Sequence, residues 1–305
     1  IIREEACVTL YQRRGITMQH IVSFSGGRTS AYLVYLMEEK RKSGDIEDVD
    51  YIFMDTGAEH PKTYEFIKKC VKHFGIDLTC LRTKVNPERG KGTTYNVVSI
   101  DDCKCDLYPW RDYASKYGVP QVPFADCTKE LKITPYEKYV KERYGKGEYT
   151  TWLGIRADEP KRLTPKEGIK YLADISYFDK RDIFDWWQKQ PFDLEIESEW
   201  LGNCVFCLKK GISRIALAAR DEPELAKEWS AMIADPSLPM KPSKTLPNTH
   251  MYRGGTSMDD IIATFSDYER TDILRTLKGG LGACEASCEV FNCQNDLFSE
   301  GNEDD

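Results

Sequence analysis

The stretch IVSFSGGRTSAYLVYLM, residues 21–37, decides how the chain is read. IVSF (21–24) is a β-branched and aromatic run that predicts a strand. Tyr32, Leu33, Leu36 and Met37 recur at helical spacing, which predicts a helix over 28–42 with a basic last turn. The Ser-Gly-Gly loop between them joins the carboxyl end of a strand to the amino end of a helix. Free backbone N–H groups and the helix dipole favour an anion at such a junction. Gly26 and Gly27 let the backbone approach a ligand closely; Ser25, Thr29 and Ser30 offer hydroxyls, and Arg28 offers charge. No lysine follows the glycines, so this is not a Walker A loop, and GxGxxG is absent as well.

The same rhythm continues outward. DYIFMD (50–55), IDLTCLRT (76–83) and TTWLGI (150–155) predict strands. HPKTYEFIKKCVKHFG (60–75) predicts a helix with Pro61 near its start and Gly75 as its stop, and 134–145 predicts another. Alternating units of this kind imply an α/β fold: a Rossmann-like, mostly parallel sheet with helices on both faces. Residues 86–126 are expected to be an irregular insertion or lid. KRDIFDWWQKQPF (180–192) is expected to be a helix ending before Pro191, with Phe184, Trp186 and Trp187 in the core. Beyond residue 200 a smaller helical, Cys-rich C-terminal region is expected. The expected organisation is therefore 1–17 as an N-terminal extension before Met18, 18–200 as a nucleotide-binding α/β domain, 201–293 as a helical metal- or cluster-binding region, and 294–305 as an acidic tail.

Composition narrows the class. The formal net charge of −7 argues against a protein built to coat nucleic acid, although a local basic patch stays compatible with it. No apolar run reaches the length of a membrane span, and residues 1–17 carry charges and no apolar h-region. A cytoplasmic protein with no membrane partner is expected.

The loop pattern SGGxxS resembles the PP-loop of the adenine nucleotide α-hydrolase superfamily. FMDTGAEHPKTYEF (53–66) resembles the second strand and following helix of the phosphoadenylyl-sulfate (PAPS) reductase family, with DTG at the strand end. CTKELKITPY (127–136) resembles that family's C-T-x-x-L-K-x-x-P stretch, and GIRADEPKRL (154–163) its G-x-R-x-x-E-x-x-R segment. YLADISYFDKRDIFDWW (171–187) resembles the segment entering its next helix. The resemblance runs from about residue 20 to 210 in family order. It implies that Ser25, Gly26, Gly27 and Ser30 cradle phosphates, with Ser23 and Thr29 beside them. Asp55, Thr56 and Gly57 would border the adenosine, and Gly154 and Arg156 would end another strand at the same edge. Arg156, Lys161 and Arg162 would neutralise phosphate. Ser25, Arg28, Ser30 and Arg156 are the expected catalytic set. The implied cofactors are ATP, or PAPS or adenylyl sulfate, with Mg²⁺. Arg28-Thr29 departs from the aspartate of the frequent SGGxDS loop, which puts Mg²⁺ handling in question.

The eleven cysteines carry the second signal. Cys204 and Cys207 form a CxxC, Cys103 and Cys105 a CxC, and Cys284, Cys288 and Cys293 a late cluster. An odd number without a secretory signal reads better as metal ligation than as disulfides. Cys70 and Cys80 fall on apolar positions and are expected in the core; Cys7 belongs to the extension. The iron–sulfur branch of the family carries a tandem cysteine pair where this chain has Asp126-Cys127, so one ligand is missing. Cys127, Cys204 and Cys207 with Cys288 are the expected ligands; Cys284 and Cys293 are equivalents of Cys288, and Cys103 and Cys105 come next. A three-cysteine 4Fe-4S cluster with an open iron, as in related tRNA-thiolating enzymes, is the other arrangement, and structural zinc is the alternative to a cluster. Lys209, Lys210 and Arg214 beside the CxxC are expected on a solvated helix face, with phosphate contact the alternative.

The family's C-terminal E-C-G-x-H motif, which holds the reductase nucleophile, is absent. The leading expectation is therefore ATP cleavage between the α- and β-phosphates to adenylate a substrate, for iron–sulfur-dependent sulfur transfer in nucleic-acid modification. Sulfonucleotide reduction comes second, and a non-catalytic nucleotide- and metal-binding protein third. Expected partners are an adenine nucleotide, a nucleic acid or a sulfur-donor protein, and a second copy of the chain.

Overall fold

The computed structural model describes residues 18–278, apart from 89, 123–124, 146, 148, 197 and 241–244. The expected extension at 1–17, Cys284, Cys288, Cys293 and the acidic tail lie outside the described residues. Strands β1 (Gln19–Ser23), β2 (Val49–Asp55), β3 (Leu78–Lys84), β4 (Thr94–Val98), β5 (Tyr149–Leu153) and β6 (Ile169–Tyr171) form one sheet in the order β4-β3-β2-β1-β5-β6. All neighbours pair in parallel except β3 with β4. The chain builds outward from β1 through β2 and β3, then returns to set β5 on the other side of β1, with Ser23 opposite Leu153. The order thus reverses beside β1. In open α/β sheets, ligands bind in the crevice at the carboxyl ends of the strands at such a reversal.

Successive side chains of a strand point to opposite faces, and each face is covered. Val22, Tyr51, Phe53 and Cys80 pack with side chains of helices α1 (Arg28–Ser43), α2 (Pro61–Phe74) and α5 (Lys180–Trp187), among them Leu33, Ile67 and Trp187. On the opposite face Ile21, Ile52, Met54 and Leu81 meet Tyr136 and Val140 of helix α4 (Thr134–Tyr144). A third cluster joins Trp110 and Tyr113 of helix α3 (Tyr108–Tyr117) to Phe206, Ile215 and Trp229. Those last residues belong to the CxxC segment and to helices α6 (Ile212–Asp221) and α7 (Pro223–Ile233); α8 (Met258–Thr264) and α9 (Arg270–Lys278) follow. This cluster draws on residues from both sides of position 200.

Several expectations are corrected. The segment 86–126 is not irregular: it contains β4 and α3. β4 escaped the pattern because it is an antiparallel edge strand, TYNVV, with no fully buried residue. β6 is only three residues long, too short for a periodicity to register. The helix expected to reach residue 190 ends at Trp187. Phe184 is 45% exposed and lies under the Arg28 guanidinium at 5.6 Å, so it is a surface ring rather than a core one. Trp187 is fully buried, and Trp186 is half-buried against Tyr32 and Tyr35 at 5.0 and 4.9 Å. Cys70 and Cys80 are fully buried, as their apolar positions require. Among the described residues, no helix is long and apolar enough to cross a membrane.

One glycine makes the crevice possible. A methyl group on Gly154, just past β5, would stand 2.8 Å from Ser30 Cα and 3.0 Å from Ser30 N. Both atoms are helix backbone and cannot step aside. The Gly154→Ala variant is expected to lose about 1–3 kcal/mol, the usual range for overpacking. Urea unfolding with an unchanged slope but a lower midpoint would show it; an unshifted midpoint would mean that α1 is free to move.

Candidate nucleotide site

The loop after β1 reaches α1 through Gly26 and Gly27. Gly26 sits at φ +79°, and a Cβ there would meet Thr63 Cγ2 and Ile67 Cδ1 at 2.8 Å. Only glycine fits this turn against α2. Gly27 is the helix N-cap and offers no side chain, so the first-turn N–H groups of α1 face the crevice with no side-chain cap. Ser25 Oγ lies 2.9 Å from Ser30 Oγ, and Ser30 Oγ donates to the Gly27 carbonyl at 3.0 Å. The hydroxyls therefore brace the loop as well as line it.

A cleft of about 120 Å³ opens here. It is bordered by residues 25–30, Thr63, Gly154, Arg156, Glu159, Arg162, Leu194, Gly202 and Asn203. Sites that enclose a drug-sized ligand run to about 300–1,000 Å³, so this cleft is smaller than one that would enclose a whole nucleotide. Of the expected nucleotide residues, Ser25, Gly26, Gly27, Arg28, Thr29, Ser30, Gly154, Arg156 and Arg162 meet in it. Ser23, Asp55, Thr56 and Gly57 are buried and do not line it, and Lys161 is exposed outside it.

Each lining arginine is held by a carboxylate. Arg28 donates to Asp193 through Nε and Nη2 at 2.7 and 2.9 Å, and to the Leu194 carbonyl at 2.6 Å. Arg156 donates to Asp158 at 2.8 Å and to Thr29 Oγ1 at 3.2 Å. Glu159 accepts from the Arg156 backbone N–H at 3.1 Å and from Arg162 Nη1 at 2.5 Å. The guanidinium groups are thus oriented in advance. Glu159, Asp193, Thr63 and Asn203 are site residues that the sequence reading did not select. Glu159 had a signal, since it is the acidic position of the GIRADE stretch; Asp193 and Asn203 arrive only by tertiary packing.

The expected adenosine-edge residues form a buried polar network instead of an open wall. Asp55 is paired with Arg82 at 2.5 Å, and Arg82 also reaches Asp106 at 2.5 Å. The Tyr64 hydroxyl lies 2.9 Å from Asp55 and 3.1 Å from Glu59. Thr56 Oγ1 donates to Glu59 at 2.9 Å and lies 3.6 Å from Cys204 Sγ. Glu59 and Cys204 also meet in an antiparallel β-bridge. The CxxC segment is therefore stitched to the carboxyl end of β2.

Cys127, Cys204 and Cys207 share the third hydrophobic cluster. Among the described residues, however, no three His, Cys, Asp or Glu side chains stand together as a group able to hold a metal ion. The described thiols do not by themselves fit a cluster or zinc, and Cys288 lies outside the described residues. Lys210, expected on a solvated face, is buried, and its ammonium donates to backbone carbonyls of the CxxC segment.

Crevice, glycine loop and pre-oriented arginines define an α/β protein with a glycine-rich strand–helix loop at the reversal point of its sheet. The chain belongs to the phosphoadenosine phosphosulfate reductase domain family, whose profile matches residues 19–174. It is 47% identical over 287 residues to the uncharacterized nin region protein ORF290 of Escherichia phage lambda, covering 92% of this chain and 98% of that protein. It is 24% identical over 228 residues to an uncharacterized protein of Methanocaldococcus jannaschii, covering 70% of this chain and 41% of the archaeal one. A weaker likeness links it to the phosphoadenylyl-sulfate (PAPS) reductase from Candida auris in its phosphate complex, at 17% identity and a TM-score of 0.37, over 56% of this chain and 72% of that one.

The buried network makes a pH prediction. Burial, then the neighbouring Glu59, push the Asp55 carboxyl from 3.8 up to about 6, against the pull of Arg82. The folded state holds this proton more tightly than the unfolded chain. Asp55's contribution to stability is therefore greatest below its ordinary value and declines as pH rises to about 6. Relative to Asp55→Asn, the wild type should lose urea stability between about pH 4 and 6 and change little above it. A difference that is flat across that window would remove the raised carboxyl.

Proposed function

We propose that the chain is an ATP pyrophosphatase of the PP-loop kind, which adenylates an acceptor. The observation that carries this reading is the cleft itself: uncapped N–H groups of α1, the paired hydroxyls of Ser25 and Ser30, and Arg156 and Arg162 converge at one reversal point. An acceptor oxygen attacks the α-phosphorus, the bond to the bridging oxygen breaks, and pyrophosphate leaves. The loop N–H groups and hydroxyls hold the leaving pyrophosphate, and Arg156 meets charge that builds on it. Positioning and charge neutralisation dominate such a transfer. Mg²⁺ arriving with ATP would supply further neutralisation; Glu159 is the lining carboxylate, and it is engaged by Arg162.

The sulfur-transfer version of this reading assigns Cys127, Cys204 and Cys207, with Cys288, to an iron–sulfur cluster or zinc, and a nucleic acid as acceptor. Its support is that Cys127 and Cys204 lie in one buried cluster with Cys207 packed against it, and that Cys204 Sγ lies 3.6 Å from Thr56 just past β2. Since the described thiols do not complete a ligand set, no step is assigned to a metal. Iron, sulfide and zinc content of protein purified without oxygen tests it, and metal-free protein with full activity would remove it.

A second reading, sulfonucleotide reduction, gains from the Cys204 thiol at 3.6 Å from Thr56, at the strand end where a nucleotide would lie. Purified protein incubated with ATP separates the two. AMP and pyrophosphate as products support adenylation; sulfite from PAPS with a thiol reductant, and no pyrophosphate from ATP, supports reduction. Under the leading reading, Arg156→Ala is expected to slow pyrophosphate release about a hundredfold, the scale of losing one transition-state donor. An unaffected rate would exclude Arg156 from the chemistry.

A further inference from the structure

Lys210 is only 7% exposed. Its Nζ donates to the carbonyls of Trp200, Gly202, Cys204 and Val205 at 2.6, 2.9, 2.9 and 2.8 Å. An ammonium has three protons, so four acceptors at this range treat it as a point cation rather than as a set of directed bonds. The carbonyls all come from one loop, residues 200–205, which folds around the charge.

That loop serves both halves of the site. Gly202 and Asn203 line the phosphate cleft. Asn203 is held at φ +55°, a left-handed conformation that most residues avoid, and the two carbonyls flanking it, of Gly202 and Cys204, both point at the ammonium. One residue on, Cys204 bridges to Glu59 and sets its Sγ beside Thr56, and the Val205 N–H donates to the Ala58 carbonyl at 3.0 Å. Turning the backbone so that these carbonyls converge would cost repulsion between their dipoles without a cation at the centre.

We propose that Lys210 is a positioning residue: a tethered cation in a carbonyl cage that shapes the 200–205 loop, and through it the Gly202–Asn203 wall of the cleft and the Cys204 thiol. The cleft half of this inference rests on the nucleotide reading; the thiol half does not. A cage of carbonyls around a point charge also suits a free ion of similar size, such as ammonium or potassium. The role of Lys210 is therefore replaceable by a diffusible cation, which a merely space-filling role is not.

The test uses Lys210→Ala and Lys210→Met in the full chain. Two quantities are read: affinity for inorganic pyrophosphate by calorimetry, and alkylation rate at Cys204 by mass spectrometry. In a buffer whose cation is tetramethylammonium, both variants should bind pyrophosphate at least about tenfold more weakly than wild type, the scale of losing bonds to a charged donor. Cys204 should alkylate faster in both. Added ammonium or potassium chloride should restore both quantities in Lys210→Ala, where the cage is open. It should not restore them in Lys210→Met, where the side chain fills the path, nor should tetramethylammonium chloride at the same ionic strength. Variants with wild-type affinity and alkylation, or defects that no small cation reverses, would overturn the proposal. So would failure to fold in every salt, whereas folding that returns with ammonium alone would support it. If the wild type binds no pyrophosphate, the nucleotide reading fails and the alkylation arm still judges Lys210.

Discussion

The backbone of α1 and the end of β5 meet at a separation that excludes any side chain at Gly154. Most of the site follows from that contact. β5 must lie beside β1 for it to form, which fixes the sheet reversal. The reversal opens the crevice, and the glycine loop and Arg156 then face one another across a few ångströms, close enough for Arg156 to reach Thr29. A fold with a looser junction would keep the same strands and lose the convergence.

Charge in the cleft is arranged rather than accumulated. The chain is acidic overall, yet the cleft gathers three arginines, each steadied by its own carboxylate. Steadied guanidinium groups lose less freedom on meeting a phosphate, at the cost of a weaker net field. The Asp55–Arg82–Asp106 chain and the Tyr64–Glu59–Thr56 contacts apply the same logic in the interior, where an unpaired charge would be costly.

The parts of the molecule that were legible in the sequence are those governed by short-range rules. Strand, glycine loop and helix around residues 21–37 obey periodicity and turn chemistry, so β1 and α1 could be read directly. β4 and β6 could not: one is a half-exposed edge strand and the other spans three residues, and both exist because a neighbouring strand offers them hydrogen bonds. Phe184 looked like core because it shares a helix with Trp187, but the α5 turn points it toward Arg28 instead. In the cleft, motif residues such as Gly26, Ser30 and Arg156 were legible, while Leu194 and Asn203 were not, since no local pattern marks residues delivered by a distant loop. Lys210 was read as surface because lysine usually is; only the folded loop reveals four carbonyls waiting for a cation.

The grip on the glycine loop comes from far along the chain. Asp193 and Leu194 hold the Arg28 side chain, and the Trp187 indole N–H donates to the Arg28 carbonyl at 2.9 Å. A growing polypeptide therefore makes its loop early and secures it late. Until residues 187–194 have been synthesised, the first strand and helix exist without the residues that fix the loop between them. The shape of the cleft is in this sense a property of the order of assembly: it arrives with the segment after α5, well after the loop residues that line it.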